Sequence, residues 1–221
     1  MCGRYALKTD YETLAKRFNA EPPPAVTDAS RYNITPTQDV PVIRNTNPHQ
    51  IEIAHWGIIP AWDKTGKKTI INARKDSLDK PTFKKSFYER RCLVLADSFY
   101  EWQAVPGQNR KRPFRFFLKS EEPFAFAGIW REQESEEGKE AYCAIITTEP
   151  NQTVAKVHDR MPAILLPEAE SEWLNLDTTP EQALELIRPY PDEQMKAYEV
   201  STLINSPANN SPDVSKPLNS Q

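Results

Sequence analysis

Cys92-Leu93-Val94-Leu95-Ala96-Asp97-Ser98-Phe99-Tyr100-Glu101-Trp102 opens the part of the chain that decides its fold. Two apolar, aromatic-rich runs of strand length flank a polar pair, and they read as strands at Cys92–Ala96 and Phe99–Trp102. Three further runs follow, at Pro113–Leu118, Phe124–Trp130 and Ala141–Thr147. Gln103–Arg112 and Arg131–Lys139 lie between them as polar hairpin loops, which predicts mostly antiparallel sheet.

Working outward toward the N-terminus, Val40–Arg44 and Ile51–Trp56 are strand candidates joined at Asn47-Pro48. The second alternates Ile51, Ile53 and His55. Arg4–Leu7 is a short strand, and Thr9 or Asp10 caps a helix whose Tyr11, Leu14, Ala15 and Phe18 share one face. Pro22-Pro23-Pro24 stops it, and a loop leads into Arg31-Tyr32-Asn33-Ile34-Thr35-Pro36. Trp56–Trp62 is an aromatic loop, and Lys80–Arg91 is basic, with Phe83 and Phe87 at helical spacing. Toward the C-terminus, helical patterns at Pro167–Leu176 and Pro180–Ile187 precede a last strand near Ala197–Val200. The expected architecture is α+β, a single domain over residues 1–205 with a mostly antiparallel, barrel-like sheet core and peripheral helices. Residues 206–221, rich in Asn, Ser and Pro, are expected to form a flexible tail.

Composition narrows the function classes. Twenty prolines against six glycines favour loops and short strands, and there is no GxGxxG or P-loop. No apolar run approaches the ~20 residues of a membrane span, and MCGRYALKTDYE lacks the apolar core of a secretory signal. Three cysteines, Cys2, Cys92 and Cys143, with no CxxC spacing point to a reducing compartment and away from disulfides or zinc. A cytoplasmic protein is expected. The net charge of −3 argues against a generally basic nucleic-acid binder. Asp63–Arg91, however, holds ten Lys/Arg against four Asp/Glu, a local balance of +6 that suits a phosphate partner.

Four residues carry candidate chemistry. Cys2 stands directly behind the initiator, and trimming of Met1 would leave a thiol and an α-amine on one carbon skeleton. Their reference pKa values, about 8.5 and about 7.7–8.0, leave both partly deprotonated near neutrality. Together they suit an aldehyde: the amine forms an imine and the thiolate closes a five-membered thiazolidine. Taken alone, Cys2 is also simply a small apolar residue at a terminus. His158, in His158-Asp159-Arg160-Met161-Pro162, is the histidine without an easy structural role, and its imidazole titrates near neutrality. Glu101 interrupts an aromatic strand and is either solvent-facing or held in a pocket that raises its pKa. Asn72, in Ile70-Ile71-Asn72-Ala73-Arg74, is either a buried turn amide or an orienting hydrogen-bonding group.

The set Met1-Cys2-Gly3-Arg4-Tyr5, Arg31-Tyr32-Asn33, Trp56-Gly57, Asn72-Ala73-Arg74, Phe99-Tyr100-Glu101-Trp102 and His158-Asp159-Arg160-Met161-Pro162 resembles the SRAP family. These are SOS response-associated peptidase-like proteins that process abasic sites. The resemblance implies a monomer that binds single-stranded DNA and captures the ring-opened abasic sugar on Cys2. It implies Asn72, Glu101 and His158 as partners in that chemistry. It also implies DNA contacts from Arg74 and Arg160, and from Arg4, Asn33, Trp62, Phe83 and Trp102. The cross-link shields the site from strand cleavage, and self-removal of Met1 is the peptidase-like step. No metal, cofactor or membrane is implied, and nucleoid association follows from DNA binding. Two other classes stay open. One is an N-terminal-nucleophile amidohydrolase or peptidase using Cys2, against which the absence of an Asn-Gly dipeptide counts. The other is a non-covalent single-strand-binding module.

Overall fold

In the computed structural model, which describes residues 2–24, 30–63, 65–135 and 138–218, three of the strands predicted between Cys92 and Thr147 help to build a closed ring. Its members are β3 (Asp39–Arg44), β4 (Glu52–Trp56), β6 (Arg91–Ala96), β9 (Phe124–Ser135) and β10 (Gly138–Thr148). β9 pairs antiparallel with β6 on one edge and with β10 on the other, while β3 bridges β6 and β4. β4 then meets β10 in parallel, Tyr142 opposite His55, and the ring closes. Phe124–Trp130 is buried throughout, as expected of a strand with packing on both faces. Gly128 makes the closure possible. A Cβ there would lie 2.8 Å from the Cys92 sulfur and 2.9 Å from a Val94 methyl, too close for either to remain in place.

A second, five-stranded antiparallel sheet lies against the barrel in the order β12 (Met195–Glu199), β8 (Lys111–Leu118), β7 (Ser98–Ala104), β1 (Tyr5–Leu7), β2 (Arg31–Ile34). Only Asp97 separates β6 from β7, so one bent run of chain serves both layers. Its carboxylate accepts from the Lys8 and Thr9 amides at 2.5 and 3.0 Å and pins the end of β1. The layers meet through aromatic rings. Tyr5 packs edge-on to Trp56 and Phe126 with centroids 5.3 and 5.6 Å apart. Phe99, stacked on Phe116 at 5.0 Å, meets Phe126 at 6.3 Å.

The helices are short and peripheral: α1 (Tyr11–Phe18), α2 (Lys84–Glu89), α3 (Gln152–Ala155), α4 (Pro167–Leu174) and α5 (Pro180–Leu186). Asp10 caps α1 by accepting from Thr13 N at 2.8 Å, and Thr179 and Gln182 form a capping box on α5. Among the described residues no helix is long and apolar enough to cross a membrane.

The short elements β5 (Asn72–Arg74), α3 and β11 (Met161–Pro162) stand where the sequence predicts none, and three longer stretches also differ from the sequence expectation. Arg31–Ile34, where the pattern predicts no element, pairs with β1 as β2. Its two buried residues, Asn33 and Ile34, are adjacent and one of them is polar, so the period-two signal is missing. The expected loop Arg131–Lys139 is mostly hairpin arm, since β9 runs to Ser135 and β10 starts at Gly138. Backbone ladder bonds do not need apolar side chains, and this polar ribbon keeps the pairing without them. The tail expected to be flexible from 206 is packed as far as it is described. Val214 is 1% exposed, and Val200 bridges to Pro217. Composition misleads there because the polar residues bind the domain. Asn210 Oδ1, for example, accepts from Tyr32 N at 2.8 Å.

Arg91 joins the helices to the barrel. It is fully buried, and its guanidinium donates to the carbonyls of Trp173 (2.7 Å), Asn175 (2.6 Å), Thr178 (3.2 Å), Phe87 (3.2 Å) and Tyr88 (3.2 Å). It thereby satisfies carbonyls around the ends of α2 and α4. Arg91→Met preserves bulk but orphans these acceptors, each worth roughly 1–3 kcal/mol when left buried. A loss of at least about 3 kcal/mol, or about 10 °C in Tm, is expected in thermal unfolding. An unchanged Tm would show that the acceptors find other donors.

Candidate active site

The C-terminal end of β10 gathers residues far apart in sequence. On one edge β5 (Asn72–Arg74) runs parallel to it, Asn72 opposite Ile145 and Arg74 opposite Thr147. On the other edge β11 (Met161–Pro162) is antiparallel, with Pro162 opposite the same Thr147. The 157–160 turn immediately precedes β11, so His158 and Arg160 arrive beside Asn72 and Arg74. β7 contributes the fourth member. Tyr5 pairs with Phe99 and Tyr100 N donates to Arg4 O at 2.9 Å, a register that sets Glu101 against the Cys2–Gly3 end of β1.

Cys2 is fully buried, and its carbonyl accepts from Asn72 Nδ2 at 2.8 Å. That single bond fixes the backbone of the candidate nucleophile, because Asn72 is held in turn by the β5–β10 ladder. Asn72 Oδ1 is buried and has no hydrogen-bond partner among the described residues, leaving an acceptor at the site. The Cys2 sulfur lies 3.7 Å from Arg4 O. Burial, reinforced by the charge of Glu101, pushes its pKa far above the ordinary thiol range. The resting thiol is therefore protonated, and its proton needs a local acceptor before sulfur can attack.

Glu101 is that acceptor by position. It is 3% exposed, and burial, with the charge of Asp159 acting in the same direction, raises its pKa to about 7. Its Oε2 is 3.8 Å from His158 Nε2, an ion-pairing distance too long for a hydrogen bond. His158 is shifted the other way, its pKa lowered chiefly by burial. His158 Nδ1 faces a donor, the Arg160 backbone N–H at 3.0 Å, and acceptors, Arg160 O at 3.2 Å and Asp159 Oδ1 at 3.1 Å, so these contacts serve either tautomer of the neutral ring, while Nε2 faces Glu101. Asp159 Oδ1, 3.1 Å from Nδ1, is an acceptor for the doubly protonated ring.

The arginines flank this cluster. Arg160 donates from Nη2 to Thr147 O at 2.8 Å, and its buried Nε has no partner among the described residues. Arg74 is exposed and makes a two-pronged ion pair with Asp76, Nε to Oδ1 at 3.0 Å and Nη2 to Oδ2 at 2.6 Å. A phosphate approaching Arg74 exchanges with that carboxylate, because an exposed, water-screened pair of this kind is weak. The sequence reading passes over both Thr147 and Asp76. The Arg-x-Asp spacing is a usable signal for Asp76, whereas Thr147 is visible only through the register.

The remaining residues proposed from the resemblance divide into two groups. Arg4, Asn33 and Trp102 form a clamp on the C-terminal segment, close in sequence or in register to Cys2 and Glu101. Arg4 Nη1 donates to Asn33 Oδ1 and to Ile204 O, both at 2.6 Å. Asn33 Nδ2 reaches Ser206 O at 2.9 Å and Asn209 O at 2.6 Å, and Trp102 Nε1 donates to Asn205 Oδ1 at 2.8 Å. Phe83 is half-buried against the main core, and Trp62 stands 60% exposed with Lys68 Nζ 4.9 Å from its ring centroid. Neither Phe83 nor Trp62 makes a hydrogen bond or ring contact with the Cys2 cluster among the described residues. Among those residues, too, no three His, Cys, Asp or Glu side chains converge as metal ligands.

The raised pKa of Glu101 has a measurable consequence for stability. The folded state holds this proton up to about pH 7, whereas the unfolded chain releases it near 4.5. Wild-type stability therefore falls as pH rises through that window. Glu101→Gln should match the wild type near pH 4 and exceed it by up to about 3 kcal/mol above pH 7 in urea unfolding. A difference that does not change with pH would mean an ordinary carboxylate.

Comparison with known proteins bears on the same residues. The family model described as SOS response associated peptidase (SRAP) matches residues 1–207. The Abasic site processing protein YoqW of Bacillus subtilis (strain 168) is 41% identical over 222 residues, covering 97% of this chain and 98% of its own. The Abasic site processing protein HMCES of Xenopus tropicalis is 32% identical over 220 residues, 82% of this chain and 64% of its own length. A crystal structure of a Bacteroides thetaiotaomicron protein superposes with a TM-score of 0.87 at 25% identity, over 98% of this chain and 99% of that one. The family match takes in Cys2, both edges of β10 and the 158–160 turn within one uninterrupted span, and this chain accordingly belongs to the SRAP family.

Proposed function

We propose that this protein processes abasic sites in DNA, and that it does so by covalently capturing the ring-opened sugar of a single strand on Cys2. The abasic-site assignment rests on the family and on the names of its relatives. The covalent route rests on one observation above the others. The backbone of Cys2 is anchored by Asn72 beside a buried carboxylate whose pKa of about 7 lets it gain or lose a proton at working pH.

The chemistry needs Met1 to be hydrolysed off, so that the α-amine of Cys2 is free. An abasic deoxyribose is mostly a closed hemiacetal. Opening it moves a proton from the anomeric hydroxyl to the ring oxygen. Glu101 serves that transfer by accepting the first proton and returning it to the ring oxygen. His158, with its proton on Nε2, donates a hydrogen bond to the sugar oxygens, its ring held from the other side by the Arg160 backbone. The amine adds to the aldehyde carbon and water leaves, giving an imine. Left there, the imine acidifies the neighbouring C2′ protons, and β-elimination would break the strand. The Cys2 thiol instead adds to the imine carbon, its proton passing by way of Glu101 to the nitrogen, and the thiazolidine closes.

Arg74, Arg160 and the basic stretch from Asp63 to Arg91 supply phosphate contacts that weaken with salt. Because all the reacting groups belong to the protein or the sugar, the product is a cross-link rather than a released molecule, and turnover is single.

Replacing the thiol separates the two nucleophiles. Cys2→Ser keeps the amine but closes poorly. On an abasic oligonucleotide it should give an adduct that borohydride traps and that breaks down with strand cleavage when untreated. The wild type should give a denaturation-resistant adduct without borohydride. Its strand cleavage should be lower by about tenfold or more, the scale of one lost catalytic contact. Equal adduct stability in the two proteins would sink the thiazolidine step, and no adduct from either would sink capture.

A further inference from the structure

Carboxylates on α4 and α5 stand where helix electrostatics disfavour them. Glu172 is in the last turn of α4 and Glu185 in the last turn of α5, where the free carbonyls of a helix end favour a cation. Neither turn holds a basic residue. Glu168 lies one turn before Glu172, so the two share a face of α4 and repel each other. Among the described residues no ion pair engages Glu168, Glu172 or Glu185. Arg188 is beside them, but its Nε donates to the Glu185 carbonyl at 2.7 Å rather than to a carboxylate. Local conflicts of this kind gather at functional sites.

All three carboxylates border one cavity of about 560 Å³, within the range of small-ligand sites, roughly 300–1,000 Å³. Ile164, Leu166 and Leu186 give it an apolar floor. A second observation is independent of the rim charges. Tyr190 forms part of the wall and is 4% exposed, yet its hydroxyl makes no hydrogen bond among the described residues. A phenol buried to that degree ordinarily has a partner. Burial raises its pKa, and of the surrounding charges Glu168 acts on it most strongly, which sets the hydroxyl toward the rim. The fold holds it there. Asn151 Nδ2 donates to Tyr190 O at 2.7 Å, and Asp192 accepts from Thr153 N at 2.7 Å.

The carboxylates are spread along the rim. Among the described residues no three His, Cys, Asp or Glu side chains converge to hold a metal ion. The arrangement suits positive charges separated by an apolar spacer. We propose that this cavity binds an aliphatic diamine or polyamine, its ammonium groups held by Glu168, Glu172, Glu185 and the Tyr190 hydroxyl, and its methylenes laid on Ile164, Leu166 and Leu186. An ammonium donates charge-assisted hydrogen bonds to carboxylates and to a phenol oxygen alike. The site shares no residue with the Cys2 cluster and does not rest on capture of an abasic sugar.

Isothermal titration calorimetry of the full chain at neutral pH reads this binding directly. The probes are propanediamine, putrescine and cadaverine, which differ by one methylene at each step, with magnesium chloride as the control dication. Affinity should rise along the series by up to about fourfold per methylene, the value of burying one such group. Glu168→Gln combined with Glu172→Gln should weaken cadaverine binding about 5- to 25-fold, the product of two exposed charge contacts. Tyr190→Phe should weaken it about tenfold, the scale of one hydrogen bond to a charged group. Its Tm should equal that of the wild type, because no bond within the protein is lost, and circular dichroism checks that every variant folds. No heat with any diamine overturns the proposal. So does an affinity that ignores chain length, equal binding in the wild type and both variants, or displacement of cadaverine by an equal concentration of magnesium.

Discussion

β10 has to pair with four other strands, and both the fold and the candidate site follow from how it does so. Its N-terminal half takes β9 on one edge and β4 on the other, which closes the barrel. Its C-terminal end takes β5 and β11, and these deliver Asn72 and the His158 turn. A strand hydrogen bonded along both edges cannot slip by one residue without reversing every side chain across the barrel wall. The position of Asn72 relative to His158 is therefore set by the core of the barrel rather than by a flexible loop. From Asn72 the constraint passes through one 2.8 Å bond to Cys2, whose place at the terminus would otherwise be free to fray.

The site is organised around neutral groups in a dry environment. Cys2 and Glu101 are both shifted upward by burial, and His158 downward, so each is displaced toward its uncharged form. The shift on Glu101 weakens the fold at neutral pH, and in the capture scheme the same shift brings its proton into balance with the working pH. Positive charge is kept to the margins. Arg160 is tied to Thr147 and Arg74 to Asp76, while Lys85, Arg90 and Arg131 border a separate pocket beside Trp62. A backbone drawn across these margins would bring its phosphates to the arginines and its sugar to the neutral centre.

Much of the fold was legible because strand-length apolar runs announce themselves. Those from Cys92 to Thr147 appear within a few residues of their observed bounds, apart from the polar extensions of the 124–148 hairpin. Polar strands did not, and the reasons are particular. Asn33 is buried because the 204–209 segment supplies its carbonyl partners, a contact made across more than 170 residues. The hairpin arms at 131–135 and 138–139 hold their register through the backbone ladder, with no apolar pattern to mark them. In the site, the residue types of Cys2, Glu101 and His158 pointed to proton transfer and nucleophilic attack before any geometry was known. The convergence of Cys2, Asn72, Glu101 and His158 depends on sheet register, which no local pattern encodes. Arg91 and Arg131 look alike in sequence, each at the edge of an apolar run. Only burial and partners distinguish the one that satisfies helix ends from the one that, among the described residues, bonds a single carbonyl.

The most direct test of capture on Cys2 is the mass and connectivity of the adduct itself. The protein is incubated with an oligonucleotide carrying one abasic site, alkylated under denaturing conditions, and measured intact and after fragmentation. The account predicts a mass equal to the protein without Met1 plus the oligonucleotide less one water, with the modification on Cys2 and no alkylation of its sulfur. An adduct that retains Met1, that maps to a lysine, or that leaves the Cys2 sulfur open to alkylation would contradict it.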